Sequence, residues 1–142
     1  MSVSSILKSG NVYCITCAEC AETAAILERV RKSEPGAIVS AIGGNEQDTL
    51  VYRGNICTRR IPPAKEKAVA QCLAHGDISE LHHLLRQSCG FPFGMDAYCT
   101  QCREVYCAKH DRLCTVMADD HPYWYDYSTA TCPKGHTRIV HD

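Results

Sequence analysis

The sequence predicts an α+β fold: a small antiparallel β-meander with helices, joined to a C-terminal cysteine-rich module. Three observations carry that reading. Short β-branched runs alternate with Gly and Asn turns between residues 37 and 61. Two segments with apolar stripes at helical spacing follow, between Ala64 and Leu85. Then Cys99-x-x-Cys102-x4-Cys107-x-x-His110-x3-Cys114 and Cys132-Pro-Lys-Gly-His136 place thiols and imidazoles at metal-ligand spacing. Zn²⁺ prefers those donors, and a two-residue gap lets two side chains grip one ion from a tight turn. We divide the chain into an α+β region with an N-terminal Cys cluster, 1–90, and a zinc-binding module packed against it, 91–142, with a single domain as the alternative.

The elements follow in order. After a short extended lead, Thr16-x-x-Glu19 has the form of a capping box. Ala21 to Lys32 is rich in helix formers, which predicts a helix burying Ile26, Leu27 and Val30. Glu28 and Lys32 fit an i,i+4 pair, and Pro35-Gly36 is the stop. Ala37 to Ile42, Thr49 to Arg53 and Ile56 to Ile61 read as three strands. Gly43-Gly44-Asn45 and Gly54-Asn55 supply their turns. Pro62-Pro63 opens a helix from about Ala64 to His75, with Val69, Cys72 and Leu73 as its apolar stripe. Asp77-x-x-Glu80 caps a second helix that buries Ile78, Leu81, Leu84 and Leu85. Cys89 to Gly94 links it to the cysteine module.

Within that module, Cys99 and Cys102 project from a turn whose backbone N–H groups can donate to the sulfurs. Cys107-x-x-His110 is expected at the start of a helix, where 107, 110 and 114 share a face. Pro133 and Gly135 favour a turn that joins Cys132 to His136. Only four residues separate Cys102 from Cys107, too little chain to wrap one ion with both pairs. Alternation is the better reading: Cys99, Cys102, Cys132 and His136 at one site, Cys107 and His110 at another. The missing two ligands come from Cys14, Cys17 or Cys20, with Cys14 and Cys17 preferred. Cys114, His121 and His141 compete. Two zinc ions are expected, one as the fallback.

Residues 98–114 resemble the middle of a cross-brace zinc finger of the RING and in-between-RING families, and that of stress-associated ubiquitin-binding proteins. In RING fingers the first and third ligand pairs share one ion, and the second and fourth share the other. The resemblance implies Cys99/Cys102 as second pair, Cys107/His110 as third and Cys132/His136 as fourth. The first pair would then come from Cys14, Cys17 or Cys20. Some eighty residues between first and second pairs exceed the usual RING spacing. The Cys-Pro-x-Gly-His ending resembles the C-terminal motif of small uncharacterised bacterial proteins.

The remaining signals are weaker. Cys57 and Cys72 read as core thiols, His82-His83 as an exposed pair, and His121 as loop surface. Tyr123-Trp124-Tyr125-Asp126-Tyr127 is expected to pack as a strand over the zinc loop, or else to form a recognition patch. Residues 91–142 hold five Lys/Arg and seven Asp/Glu, and the formal net charge of the whole chain is −1. That argues against a nucleic-acid partner. No apolar run reaches bilayer length and the first ten residues lack a signal core. With eleven cysteines, an odd number, metal in a reducing, cytoplasmic setting is expected over disulfides. No Walker, Rossmann or His-Glu-x-x-His pattern is present, and no His is followed by Glu two places on. No catalytic or cofactor-binding residues are assigned, and an enzyme is the lesser expectation. The sequence thus reads as a structural-zinc protein that binds another protein. The resemblances imply two alternatives: a RING-like ubiquitin-ligase-type module and a bacterial immunity or defence accessory.

Overall fold

The computed structural model describes residues 3–30, 48–121 and 123–142. Its described residues form an α+β arrangement of three antiparallel sheets and two helices. The first sheet holds β1 (Ile6–Ser9), β2 (Val12–Thr16), β3 (Thr23–Val30), β4 (Thr49–Arg53) and β5 (Thr58–Arg60), each beside its sequence neighbour. Gly10, at φ +61°, makes the tight β1–β2 turn that a side chain would oppose. The meander is therefore present. The expected strand at Ala37 to Ile42 lies outside the described residues.

β3 corrects the sequence reading. Thr23–Val30 is a strand, not a helix. Thr16 is no helix cap; it ends β2, and its Oγ1 accepts from the Ser5 N–H at 2.9 Å. Helix propensity is a weak prior, and β3 is hydrogen-bonded on both edges, to β2 and to β4. The pairing buries Ala24, Ala25, Leu27 and Val30. Glu28 pairs across the sheet with Arg53, and Arg29 with Glu66. Lys32, the expected partner of Glu28, is outside the described residues.

A 3-10 turn (Pro63–Lys65) leads into α1 (Glu66–His75) and α2 (Ile78–Ser88). Val69, Cys72 and Leu73 are buried on α1 as expected. Gly76, at φ +68°, closes α1 with its N–H on the Cys72 and Leu73 carbonyls. Asp77 caps α2 by accepting from Glu80 N–H at 3.0 Å. α2 buries Ile78, Leu81 and Leu85, with Leu84 partly buried, and it also buries His82. The expected exposed pair is split: His82 is only 2% exposed and His83 points outward. His82 stacks on Tyr98 and accepts the Met95 N–H at Nδ1. No helix among the described residues is long and apolar enough to cross a membrane.

One hydrophobic cluster takes in Ile15 and Leu27 from the sheet, Leu73 and Leu81 from the helices, and Tyr98, Val105 and Cys132 from the cysteine-rich part. Asp96 ties these regions together. Its buried carboxylate accepts from Tyr52 Oη at 2.5 Å and from the Ile56 and Cys57 N–H groups at 2.6 and 2.8 Å. Beyond it come the two-stranded β6 (Tyr98–Cys99) and β7 (Glu104–Val105). The last sheet, in the order β10-β9-β8, holds β8 (Arg112–Met117), β9 (Tyr125–Thr131) and β10 (Thr137–His141).

Candidate metal centres

Four turns carry the ligand-type side chains. The first joins β2 to β3 and presents Cys17 and Cys20. The second joins β6 to β7 and presents Cys99 and Cys102. Both are closed alike: Ala21 N–H bonds Cys17 O, and Arg103 N–H bonds Cys99 O. Ala21 and Arg103 are the two described non-glycine residues at positive φ, 63° and 59°. In each turn a backbone N–H points at the leading sulfur, Glu19 to Cys17 Sγ at 3.4 Å and Cys102 to Cys99 Sγ at 3.5 Å. The third turn, between β7 and β8, carries Cys107 and His110. The fourth, between β9 and β10, carries Cys132 and His136, with Gly135 at φ +86°.

These turns meet in two groups. Cys17, Cys20, Cys107 and His110 form one; Cys99, Cys102, Cys132 and His136 form the other. In each, the ligand atoms all lie within 4.8 Å of one another. In the first, Cys20 Sγ is 3.7 Å from Cys107 Sγ, and His110 Nδ1 is 3.4 Å from Cys107 Sγ and 3.9 Å from Cys17 Sγ. In the second, Cys102 and Cys132 sulfurs are 3.7 Å apart. His136 Nδ1 lies 3.2, 3.6 and 3.7 Å from Cys102, Cys132 and Cys99. Each group is a Cys₃His set that could hold a metal ion. The pairs alternate along the chain, first with third and second with fourth.

Cys20, not Cys14, completes the first set. Cys14 sits inside β2, opposite Leu7 and Ile26, so the strand ladder holds it away from the turn. The expected helix after Cys107 is a turn followed by β8. Cys114 is exposed on that strand and shares no face with Cys107 and His110. His121 stacks on Trp124 and His141 Nδ1 is 2.6 Å from Tyr125 Oη, so neither joins a cluster. Cys72 and Cys89 are buried core thiols and Cys57 is half-buried.

The surroundings bind the two sets together. Ala18 N–H donates to Val105 O at 2.8 Å, which fixes the first turn against β7. Ser4 brackets the same strand, with Oγ 2.8 Å from Val105 N. Asn55 Nδ2 donates to Tyr106 O at 3.0 Å. Asp111, fully buried beside His110, takes a two-pronged bond from Arg138 on β10 at 2.6 and 3.1 Å, and Arg138 also donates to Asp96 O. This clamp links the third ligand turn to the strand that follows the fourth.

Thiol ionisation is uneven without a cation. Burial opposes the charged form of Cys17 and Cys132. Backbone N–H donors outweigh it, chiefly from Cys107, Cys20 and Glu19 at Cys17 and from His136 and Lys134 at Cys132, so both fall below the ordinary thiol value. Burial first, with Cys132 and Cys99 beside it, pushes Cys102 up to about 11. A central divalent cation offsets the mutual repulsion of neighbouring thiolates. The donor chemistry therefore fits a metal. A cleft of about 380 Å³ beside the first set is lined by Glu22, Arg53 and Lys109, all three already engaged in ion pairs.

The aromatic segment does not pack over either set. Tyr123 is 93% exposed, Trp124 64% and Tyr125 42%, at the β8–β9 hairpin tip. Comparison with curated proteins and with solved structures finds no match to the chain. A family model does match residues 8–142, and the chain belongs to that family, described as a domain of unknown function (DUF8328).

Proposed function

We propose that each Cys₃His set binds a structural zinc ion, and that the chain is a zinc-braced module that contacts another protein through the exposed β8–β9 hairpin. One observation carries the zinc reading: two closed four-donor sets with the edges of a small tetrahedron. Zinc–sulfur bonds of about 2.3 Å and zinc–nitrogen bonds of about 2.0 Å give edges of about 3.8 Å between sulfurs and about 3.6 Å from sulfur to nitrogen. The Cys20–Cys107 and Cys102–Cys132 sulfurs stand 3.7 Å apart, five sulfur–nitrogen pairs 3.2 to 3.9 Å, and the remaining donor pairs within 4.8 Å. All four donors in each set come from the protein. That is the pattern of a structural site, since catalytic zinc keeps a position for water. Cys99, Cys102, Cys132 and His136 would hold one ion; Cys17, Cys20, Cys107 and His110 the other. The contact reading rests on Tyr123 and Trp124, large rings left in solvent at a protruding tip.

Native mass spectrometry tests the first part. Two zinc ions per chain are expected. Cys99→Ser and Cys132→Ser should release one ion, and Cys20→Ser and Cys107→Ser the other. A folded, metal-free protein would remove the proposal. Cross-linking in native lysate tests the second part: Tyr123→Ala/Trp124→Ala should keep both ions and lose the cross-linked partner.

The alternating pairing favours a second reading, a RING-like ubiquitin-ligase-type module. Its test is ubiquitin transfer with a panel of conjugating enzymes. Absence of transfer with the zinc-loaded chain would leave the contact module alone.

A further inference from the structure

The β8–β9 hairpin tip differs from the rest of the surface in charge as well as in aromatic exposure. No Lys or Arg occurs between Arg112 and Lys134, while Asp119, Asp120 and Asp126 fall within that interval. All three carboxylates are exposed, and none makes an ion pair or side-chain hydrogen bond among the described residues. They flank Tyr123 and Trp124. The tip is also held in shape. Trp124 N–H donates to His121 O and Ala118 N–H to Trp124 O, both at 2.8 Å. The His121 ring stacks on the indole at 4.1 Å, 20° from parallel. Tyr125 Oη is anchored to His141, so Tyr125 braces the tip against β10. Two exposed aromatic rings, that of Trp124 braced by His121, therefore sit among three unpaired negative charges.

Aromatic faces attract cations through their quadrupole, and unpaired carboxylates add charge attraction and select against anions. We infer that this tip docks a basic segment of a partner protein, with Lys or Arg side chains over the Tyr123 and Trp124 rings and against Asp119, Asp120 and Asp126. The inference rests on the contact reading above and gives that partner its chemistry. Nucleic acid and anionic membrane carry the sign of charge that the tip repels.

Trp124 is the chain's only tryptophan, so its emission reports on the tip alone. The zinc-loaded full chain is titrated with an unstructured peptide of alternating Arg, Lys and Ser, and with the same peptide carrying Glu at the basic positions. The basic peptide should give a saturable emission change that weakens about tenfold in Asp119→Asn/Asp120→Asn/Asp126→Asn and about tenfold at roughly 0.5 M salt. The Glu peptide should give none. Circular dichroism and zinc content of the triple variant should match the wild type, because the three side chains are exposed. Equal response to the Glu peptide, no response to the basic one, or a response to lipid vesicles or oligonucleotides in its place overturns the inference. If the basic peptide fails while Tyr123→Ala/Trp124→Ala still abolishes the lysate cross-link, the contact surface stands and its basic partner falls. If neither has an effect, both fall.

Discussion

Lowering the pH from 7.5 to 5.5 tests whether His82 is held neutral inside the fold. Burial, followed by the nearby charges of His83, Arg86 and Arg138, lowers its pKa from 6.5 to about 4. Its Nδ1 is committed to the Met95 N–H at 3.0 Å and its ring is stacked on Tyr98, with centroids 4.4 Å apart. In the unfolded chain the imidazole takes its proton near the ordinary value. Between about 6.5 and about 4 the unfolded state therefore binds the extra proton. The stabilisation is present in full above that window and is lost as pH falls through it. At pH 5.5 the loss amounts to about 1.4 kcal/mol, roughly tenfold in the folding equilibrium. The assay is urea denaturation of the zinc-loaded protein and of His82→Asn at both pH values. The Asn amide oxygen reaches about where Nδ1 lies and can keep the Met95 bond, but it does not titrate. Acid weakening of the metal sites is common to both proteins and cancels in the difference. Wild type should lose about 1.4 kcal/mol more than the variant. Parallel losses would refute the reasoning and place His82 in a solvated setting.

Three further outcomes follow from the geometry. Gly54→Ala would set a methyl 1.8 Å from Asp96 Oδ1 and 2.4 Å from Tyr52 Oη. It should cost about 3 kcal/mol or more in urea denaturation, by breaking a buried hydrogen-bonded network. Ala21→Gly and Arg103→Gly relieve positive φ in the first and second ligand turns. Each should stabilise by about 0.5–1 kcal/mol, seen as a Tm rise of roughly 2–3 °C with zinc bound. Arg138→Met strands the Asp111 carboxylate, which is 0% exposed. It should cost about 3–5 kcal/mol alone and clearly less in an Asp111→Asn background, as a double-mutant cycle would show.

The parts of the fold legible in the sequence are those whose signals are local. Asp77 and Glu80 mark the start of α2, Gly76 ends α1, and β-branched Thr49 to Arg53 forms β4. β3 was hidden because Ala24, Ala25, Leu27 and Glu28 favour a helix locally. Its strand form comes from partners far along the chain, down to Val51 opposite Glu28. His82 was legible but misread: 78, 82 and 85 lie on one helical face, so the ring belongs with Ile78 and Leu85. Of the ligand-type residues, the C-terminal pairs stand out by spacing. Cys14 and Cys20 flank Cys17 at equal distance, and only the extent of β2 to Thr16 tells which one reaches the turn. The aromatic run is visible as composition. Its exposure depends on where the β8–β9 hairpin projects, which no local pattern encodes.

The alternating pairs also set an order of assembly. Cys20 and Cys107 are 87 positions apart, whereas Cys102 and Cys132 are 30 apart. Loop length alone separates the two closures by about 0.9 kcal/mol. The greater difference lies in what the loops contain. The longer one encloses β3 to β7 and both helices, so its ends meet only after the core has formed around Leu27 and Leu81. The shorter one encloses only β7, β8 and β9. During synthesis the first ligand thiols, Cys17 and Cys20, must wait for Cys107 and His110, exposed to stray metals and oxidants. In the finished chain, with every ligand present, the shorter closure would let the C-terminal site load its ion first. Capture at the other would mark a chain whose interior is already complete.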